Sequence, residues 1–156
     1  MKLHVIAVGR LKAEFARTGC ADFFGRVGHH FSLQLHEVRD AHRRGGQAAR
    51  WKAAEAEALR AAVPAGARVV ALDERGRQWS SRGFAEWLGR QRDEGAAAVA
   101  FVIGGPDGLD PTLRDSADEV WALGKLTMSH ELARLVLAEQ LYRAAAILDG
   151  LPYHRD

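Results

Sequence analysis

Val99–Gly108, VAFVIGGPDG, and the run that follows at Val120–His130, VWALGKLTMSH, decide how this chain is read. Ala98–Ile103 is a short, unbroken apolar run bounded by glycines, too short for a helix. Such a run is expected to be a strand buried on both faces, as in a parallel sheet. It stops at Gly104-Gly105-Pro106, where the backbone can turn sharply and approach a ligand with no Cβ in the way. In open α/β sheets ligands sit outside the carboxyl ends of the strands, so a glycine pair there marks a candidate binding site. The plainer alternative is that Gly104 and Gly105 only make a tight turn.

Outward from that strand, helices and strands alternate. Lys2–Val8 alternates loosely and ends at Gly9, a first strand. Lys12–Arg26 spaces Phe15, Ala16, Cys20, Phe23 and Phe24 as a helix laid on a sheet would, with Gly28 just past its end. Phe31–Val38 has the period-two pattern of a half-buried outer strand. Gln47–Val63 is rich in Ala, Glu, Arg and Leu and halts at Pro64, a helix. Arg68–Leu72 is another short buried strand, followed by the polar turn Asp73-Glu74-Arg75-Gly76. Ser80 or Ser81 can cap a helix reaching about Glu94, with Phe84, Trp87 and Leu88 inward. Pro111 opens a short helix to about Ser116, Glu119–Leu123 is one more strand, and Ser129 or Thr127 caps a last helix that ends at Gly150. The expectation is one α/β domain over residues 1–156, with a mainly parallel sheet flanked by helices.

Composition narrows the class. A chain of 156 residues, 27% charged and 47% hydrophobic, is an ordinary globular domain that buries about 70% of its unfolded surface. The apolar run Leu3–Val8 is six residues long and interrupted by His4, too short for a signal-peptide core. Nothing approaches the ~20 apolar residues of a membrane span, so a cytoplasmic protein without membrane partners is expected. The lone Cys20 excludes an internal disulfide and a multi-cysteine zinc site. Net charge is only +2, yet Arg39–Lys52 carries five cations against Asp40, a local +4 around RDAHRRGG. Such a basic, glycine-containing loop suits a phosphate backbone, although solvated charge alone would also account for it.

Most catalytic signatures are missing. Gly104, Gly105 and Gly108 do not form G-x-G-x-x-G, Gly124-Lys125 is followed by Leu126 and makes no Walker A motif, and no G-x-S-x-G occurs. The seven histidines show no metal-binding spacing, so no metal is expected. What remains is three backbone-rich loops at strand ends, after Leu72, Ile103 and Leu123, of the kind that binds a small ligand through N–H and C=O groups. The terminal Leu151-Pro152-Tyr153-His154-Arg155 adds an aromatic, an imidazole and a cation, able to stack on a base and hold a phosphate.

Four stretches in order, IGGPDGL at Ile103–Leu109, LTMSHELAR at Leu126–Arg134, EQLYRA at Glu139–Ala144 and the terminal PYHRD, resemble the ribosomal RNA large subunit methyltransferase H family of the SPOUT superfamily. The opening KLHVIAVGRLK and ALDERGR at Ala71–Arg77 extend the similarity end to end. The resemblance implies an α/β-knot fold with a C-terminal trefoil knot and a homodimer. It also implies methyl transfer from S-adenosyl-L-methionine to N3 of a pseudouridine in 23S rRNA of the assembled ribosome. It maps cofactor contacts onto Leu72, Gly104, Gly105, Leu123, Gly124, Lys125, Leu126, Thr127 and Met128. Gly124 stands where the family commonly has serine, and Ser129 where it frequently has proline.

On that reading the N3 proton must leave during transfer, and His154 is the candidate base because an imidazole titrates near working pH. Tyr153 and Arg155 would position the base or its phosphate. Arg43 and Arg44 in the basic loop are candidate RNA contacts, as are Arg134 and Arg143, which alternatively only pair with Glu139. The apolar face of the last helix is the expected two-fold interface. Competing readings are a SPOUT enzyme for another RNA such as tRNA, a non-catalytic RNA-binding protein that senses the cofactor, and a plain α/β nucleotide-binding module.

Overall fold

The computed structural model describes residues 1–41 and 47–155. Elements alternate as β1 (Lys2–Val8), α1 (Glu14–Val27), β2 (Ser32–Val38), α2 (Ala48–Ala62), β3 (Arg68–Gln78), α3 (Ser81–Asp93), β4 (Ala98–Ile103), α4 (Pro111–Ser116), β5 (Glu119–Ala122) and α5 (His130–Leu148). The strands form one sheet in the order β2-β1-β4-β3-β5, every pairing parallel.

Two helical layers cover this sheet. On one face Leu3, Val5, Val70, Val99 and Phe101 pack against Phe24, Leu88, Leu137 and Leu141 of α1, α3 and α5. On the other, Ile6, Val8, Ala71 and Val102 meet Ala56 and Leu59 of α2 and Leu113 of α4. Covering both faces explains why all six residues of β4 are buried. It also corrects the alternation expected for β1, where Leu3–Val8 are buried without a break. Even His4 is only 4% exposed, its ring stacked on His36, and burial lowers its pKa.

β2 is the half-buried edge strand its period-two pattern requires. Ser80 and Ser129 cap α3 and α5 by accepting N–H bonds from Gly83 and Leu132, and Asp110 caps α4 ahead of Pro111. Ser129 thus supplies the helix cap of α5.

Two expectations need correction. β3 does not end at Leu72: its register against β5 jumps from Leu72 opposite Trp121 to Arg77 opposite Trp121, and pairing resumes through Gln78. The polar stretch Asp73–Gly76 loops out between the two halves. Its return depends on Gly76, where a Cβ would lie 2.5–2.6 Å from backbone atoms of Val120 and Trp121. Helix α1 starts at Glu14 instead of Lys12, because the Lys12 and Ala13 N–H groups are taken by the carboxylate of Glu131 on α5.

Candidate functional site: a cleft at three strand ends

β4, β3 and β5 lie side by side, with Ile103 opposite Leu72 and Leu72 opposite Trp121. Their carboxyl ends therefore open at one place, and the loops leaving them enclose a cleft of about 460 Å³. Sheet topology sets the position, as expected where parallel strands deliver their loops to one edge.

The wall from β4 is the tightest. Gly105 and Gly108 bridge each other, with the Gly108 N–H donating to the Gly105 carbonyl at 3.0 Å. This folds the hairpin onto Gly104, whose absent Cβ would sit 2.5 Å from the carbonyl carbon of Gly108. The glycine thus answers a close backbone approach and does more than permit a turn. Behind Gly105 stands Glu55 of α2, 6% exposed, its carboxylate oxygens 3.3 Å from where a Cβ would lie.

The other two walls are tied together. Thr127 Oγ1 donates to Glu74 Oε2 at 2.8 Å, joining the β5 loop to the β3 loop. Asp73 accepts the Arg75 N–H at 2.9 Å and lies 4.0 Å from the Arg114 guanidinium. Leu72, Ile103, Leu123 and Met128 supply apolar lining. The cleft has the size and the mix of backbone and apolar wall of a small-molecule site.

Eight of the nine residues expected to touch a cofactor line this cleft: Leu72, Gly104, Gly105, Leu123, Gly124, Leu126, Thr127 and Met128. Lys125 is exposed and does not. At Gly124 a Cβ would meet nothing within 4 Å, but the backbone φ of 156° is one that L side chains rarely adopt, so glycine suits this position. Sequence reasoning missed Lys52 of α2 and His130 and Ala133 of α5, which also line the cleft. Lys52 reaches it from the opposite helical layer, a contact no local pattern encodes. His130 was readable as the residue after the cap Ser129.

The terminal group lies elsewhere. Tyr153 Oη donates to Glu139 Oε1 at 2.9 Å, and its ring meets Tyr142 edge-on at 4.7 Å between centroids. Arg143 donates twice to the same Glu139 oxygen, at 3.1 and 2.5 Å, lies 4.8 Å over the Tyr153 ring and contacts His154 Nδ1 at 3.2 Å. Burial and the bond to Glu139 push the Tyr153 hydroxyl above its usual range. Glu139 and Arg143 stand nine and thirteen residues beyond His130 on α5. At 1.5 Å per residue that is about 14 and about 20 Å along the axis. Within one chain Tyr153, His154 and Arg155 do not line the cleft.

The proposed RNA contacts divide as well. Arg43 and Arg44 fall outside the described residues. Arg134 corrects the expectation: it is 5% exposed and donates to Glu37 at 2.6 Å and to the Gly9 carbonyl at 2.9 Å. It braces α5 against the ends of β1 and β2, with little of its side chain at the surface. No metal-binding cluster of His, Cys, Asp or Glu exists among the described residues, and none of their helices is long and apolar enough to cross a membrane.

A parallel α/β sheet whose cleft is built from three converging loops places the protein in a class, and comparison agrees: residues 1–154 match the profile of the family described as "Predicted SPOUT methyltransferase". The chain belongs to this SPOUT methyltransferase family, among relatives named ribosomal RNA large subunit methyltransferase H. One such relative, from Thiobacillus denitrificans, is 46% identical over 157 residues, covering 100% of both chains. Another, from Dinoroseobacter shibae, is 49% identical over 161 residues, covering 99% of each. A solved structure, a probable methyltransferase from Bordetella pertussis, shares the fold at a TM-score of 0.53 and 17% identity over 92% of this chain and 96% of that one.

Proposed function

We propose that the protein transfers the methyl group of S-adenosyl-L-methionine to N3 of a pseudouridine in 23S rRNA of the assembled ribosome, in the cytoplasm and as a homodimer. The observation that carries this reading is the convergence of the β3, β4 and β5 loops on one cleft that eight of the nine expected cofactor residues line. Names of full-length relatives at 46–49% identity support the choice of large-subunit rRNA.

The residues present fit the cofactor. The Gly104–Gly108 hairpin brings bare backbone to the cleft wall, where a side chain on Gly104 would collide. Backbone groups there suit a purine edge and ribose, and Leu72, Ile103, Leu123 and Met128 suit its flat faces. Asp73 and Glu74 stand in the lining, Asp73 beside the guanidinium groups of Arg75 and Arg114 and Glu74 on the Thr127 hydroxyl. When bound, the cofactor supplies a methyl group already activated by its sulfonium. The protein's task is then alignment: the loops fix the donor and exclude water, and the target base must be held in line with it.

Tyr153, His154 and Arg155 lie too far along α5 to reach the cleft of their own chain, so we assign them to the cleft of the second copy. Exposed apolar residues on two neighbouring helices support such a pairing: Phe15 of α1 is 59% exposed and Leu132 of α5 is 38% exposed. Sedimentation as a monomer at micromolar concentration would count against it. The C-terminal trefoil knot belongs to the same reading, which the match to the SPOUT methyltransferase family supports.

The test is methyl transfer by the purified protein to whole ribosomes lacking the modification, to free rRNA and to tRNA, with the methylated nucleotide mapped by mass spectrometry. A methyl group on N3 of one 23S pseudouridine, in ribosomes only, is the expected result. Methylated tRNA would favour another SPOUT specificity, and cofactor binding with no transfer would favour a sensor.

A further inference from the structure

We infer that Lys52 binds the α-carboxylate of the methyl donor and so selects a donor whose amino-acid end is intact. This rests on the donor cleft proposed above and adds one residue to it.

The position of Lys52 follows from α2. Ala56 and Leu59 are buried against the sheet, and Glu55 is buried beside Gly105. Lys52 precedes Glu55, Ala56 and Leu59 by three, four and seven residues, the spacing that puts side chains on one face of a helix. The stripe that covers the sheet therefore ends, one turn nearer the helix start, in an amine. That turn stands at the carboxyl ends of the strands, since Lys52 lines the cleft together with Gly105 and Leu109.

The protein leaves this amine without a counter-charge. Among the described residues Lys52 forms no ion pair and no hydrogen bond. The guanidinium in the lining, that of Arg75, is 3.4 Å from Asp73, and 68% of its side chain is exposed. The acids are placed elsewhere: Asp73 beside Arg75 and Arg114, Glu74 on the Thr127 hydroxyl, and Asp107 exposed on the hairpin. Lys52 is half-buried, and an ammonium so placed favours an anionic ligand.

The donor carries one anion. Its purine and ribose are neutral, its sulfonium and amine are cationic, and only the carboxylate of the amino-acid end matches an ammonium. An rRNA phosphate is the other anion the reaction brings. RNA presents its phosphates to the outer surface, where Lys125 is exposed between Gly124 and Leu126. Lys52 belongs to the wall of the cleft, beside the glycine hairpin, which is where a small molecule sits.

The experiment is calorimetric titration of the purified full-length protein with two ligands. One is S-adenosylhomocysteine; the other is its decarboxylated analogue, which keeps purine, ribose, sulfur and amine and lacks only the carboxylate. Wild type should bind the first about tenfold more tightly. Lys52→Met keeps an unbranched apolar stem and should lose about tenfold for S-adenosylhomocysteine while staying within about twofold for the analogue. Lys52→Arg keeps the charge and should recover most of that loss. The wild-type preference should shrink as KCl rises from about 50 to about 500 mM. Equal binding of the two ligands by wild type, an equal loss for both in Lys52→Met, or a methionine variant that keeps the wild-type preference would each overturn the assignment. A methionine variant that binds S-adenosylhomocysteine normally but needs more ribosomes for half-maximal methylation would give Lys52 to an rRNA phosphate instead. Wild type that binds neither ligand sinks the donor reading itself, a failure visible before any Lys52 variant is made.

Discussion

The carboxylate of Glu131, in the first turn of α5, accepts the backbone N–H of Ala13 at 2.9 Å and that of Lys12 at 2.6 Å. Helix α1 has no side-chain cap of its own, since Ala13 occupies the capping position. A residue 118 positions later in the chain does that work. Glu131 directly follows the Ser129-His130 segment of the cleft, so one helix start closes the cleft and secures α1 at once.

Glu131→Ala should therefore lower stability by about 1 kcal/mol, the usual worth of a capping bond. The bond from Ala13 is the main cause that holds the Glu131 carboxyl below its ordinary value. A depressed carboxyl contributes stability that is present above its unfolded pKa and lost as pH falls through the folded one. Urea midpoints of wild type and variant should differ at pH 7 and converge in the acid range below about 4.3. An undiminished difference in acid would show that the carboxylate does not cap α1.

The same substitution at two glycines should act in opposite directions. Gly104→Ala drives a methyl into the backbone of Gly108 and Leu109, at 2.5–2.8 Å. Its cost is about 1–3 kcal/mol, and donor affinity falls with it because the hairpin must move. Gly25→Ala on α1 meets nothing within 4 Å and should add about 0.5–1 kcal/mol by helix propensity. Thermal melts together with calorimetric titration of S-adenosylhomocysteine separate the two. A Gly104→Ala protein that melts and binds like wild type would disprove the close approach.

These glycines show what was legible in the sequence and what was not. The buried strand Ala98–Ile103 and the glycine turn after it could be read because unbroken apolar residues and paired glycines are local signals. The alternating β2, the caps at Ser80 and Ser129 and the Pro111 helix start were readable for the same reason. Asp73–Gly76 was readable as a turn, but the return of β3 to pair with β5 was not, because it depends on how close Gly76 comes to Val120 and Trp121. Arg134 looked like a surface cation; its burial under Glu37 and the Gly9 carbonyl is a tertiary fact. Lys52 enters the cleft from α2 without any local signal. The tail's separation from the cleft follows from the length of α5, which the sequence sets, and from where the chain folds back, which it does not announce.

Thr127→Val should loosen the cleft without unfolding the protein. It removes the 2.8 Å bond from Thr127 to Glu74 that joins the β5 and β3 loops, and both residues are exposed. A solvent-accessible bond of this kind is worth about 1 kcal/mol, which as binding energy is about fivefold in affinity. Titration with S-adenosylhomocysteine should show that loss while the melting temperature falls by no more than about 4 °C. Unchanged affinity would mean the two loops hold their places without the bond.

The last prediction concerns the wall of the cleft that Trp121 forms. Glu119 accepts the Trp121 indole N–H at 2.6 Å on one carboxylate oxygen and the Trp87 indole N–H at 3.0 Å on the other. Both indoles are buried, 4% and 3% exposed, and their rings meet edge-on at 4.6 Å. Glu119→Ala leaves two buried donors without this partner, at a cost of about 1–3 kcal/mol for each group stranded. Glu119→Gln tests the cause. Its amide offers one acceptor oxygen and one NH2 group, so one indole N–H necessarily faces another donor, although size and shape are kept. Both variants should therefore lower the urea midpoint, and tryptophan emission should change in each. A glutamine variant as stable as wild type would mean that packing of the two rings, and not the carboxylate, sets the position of Trp121 at the cleft.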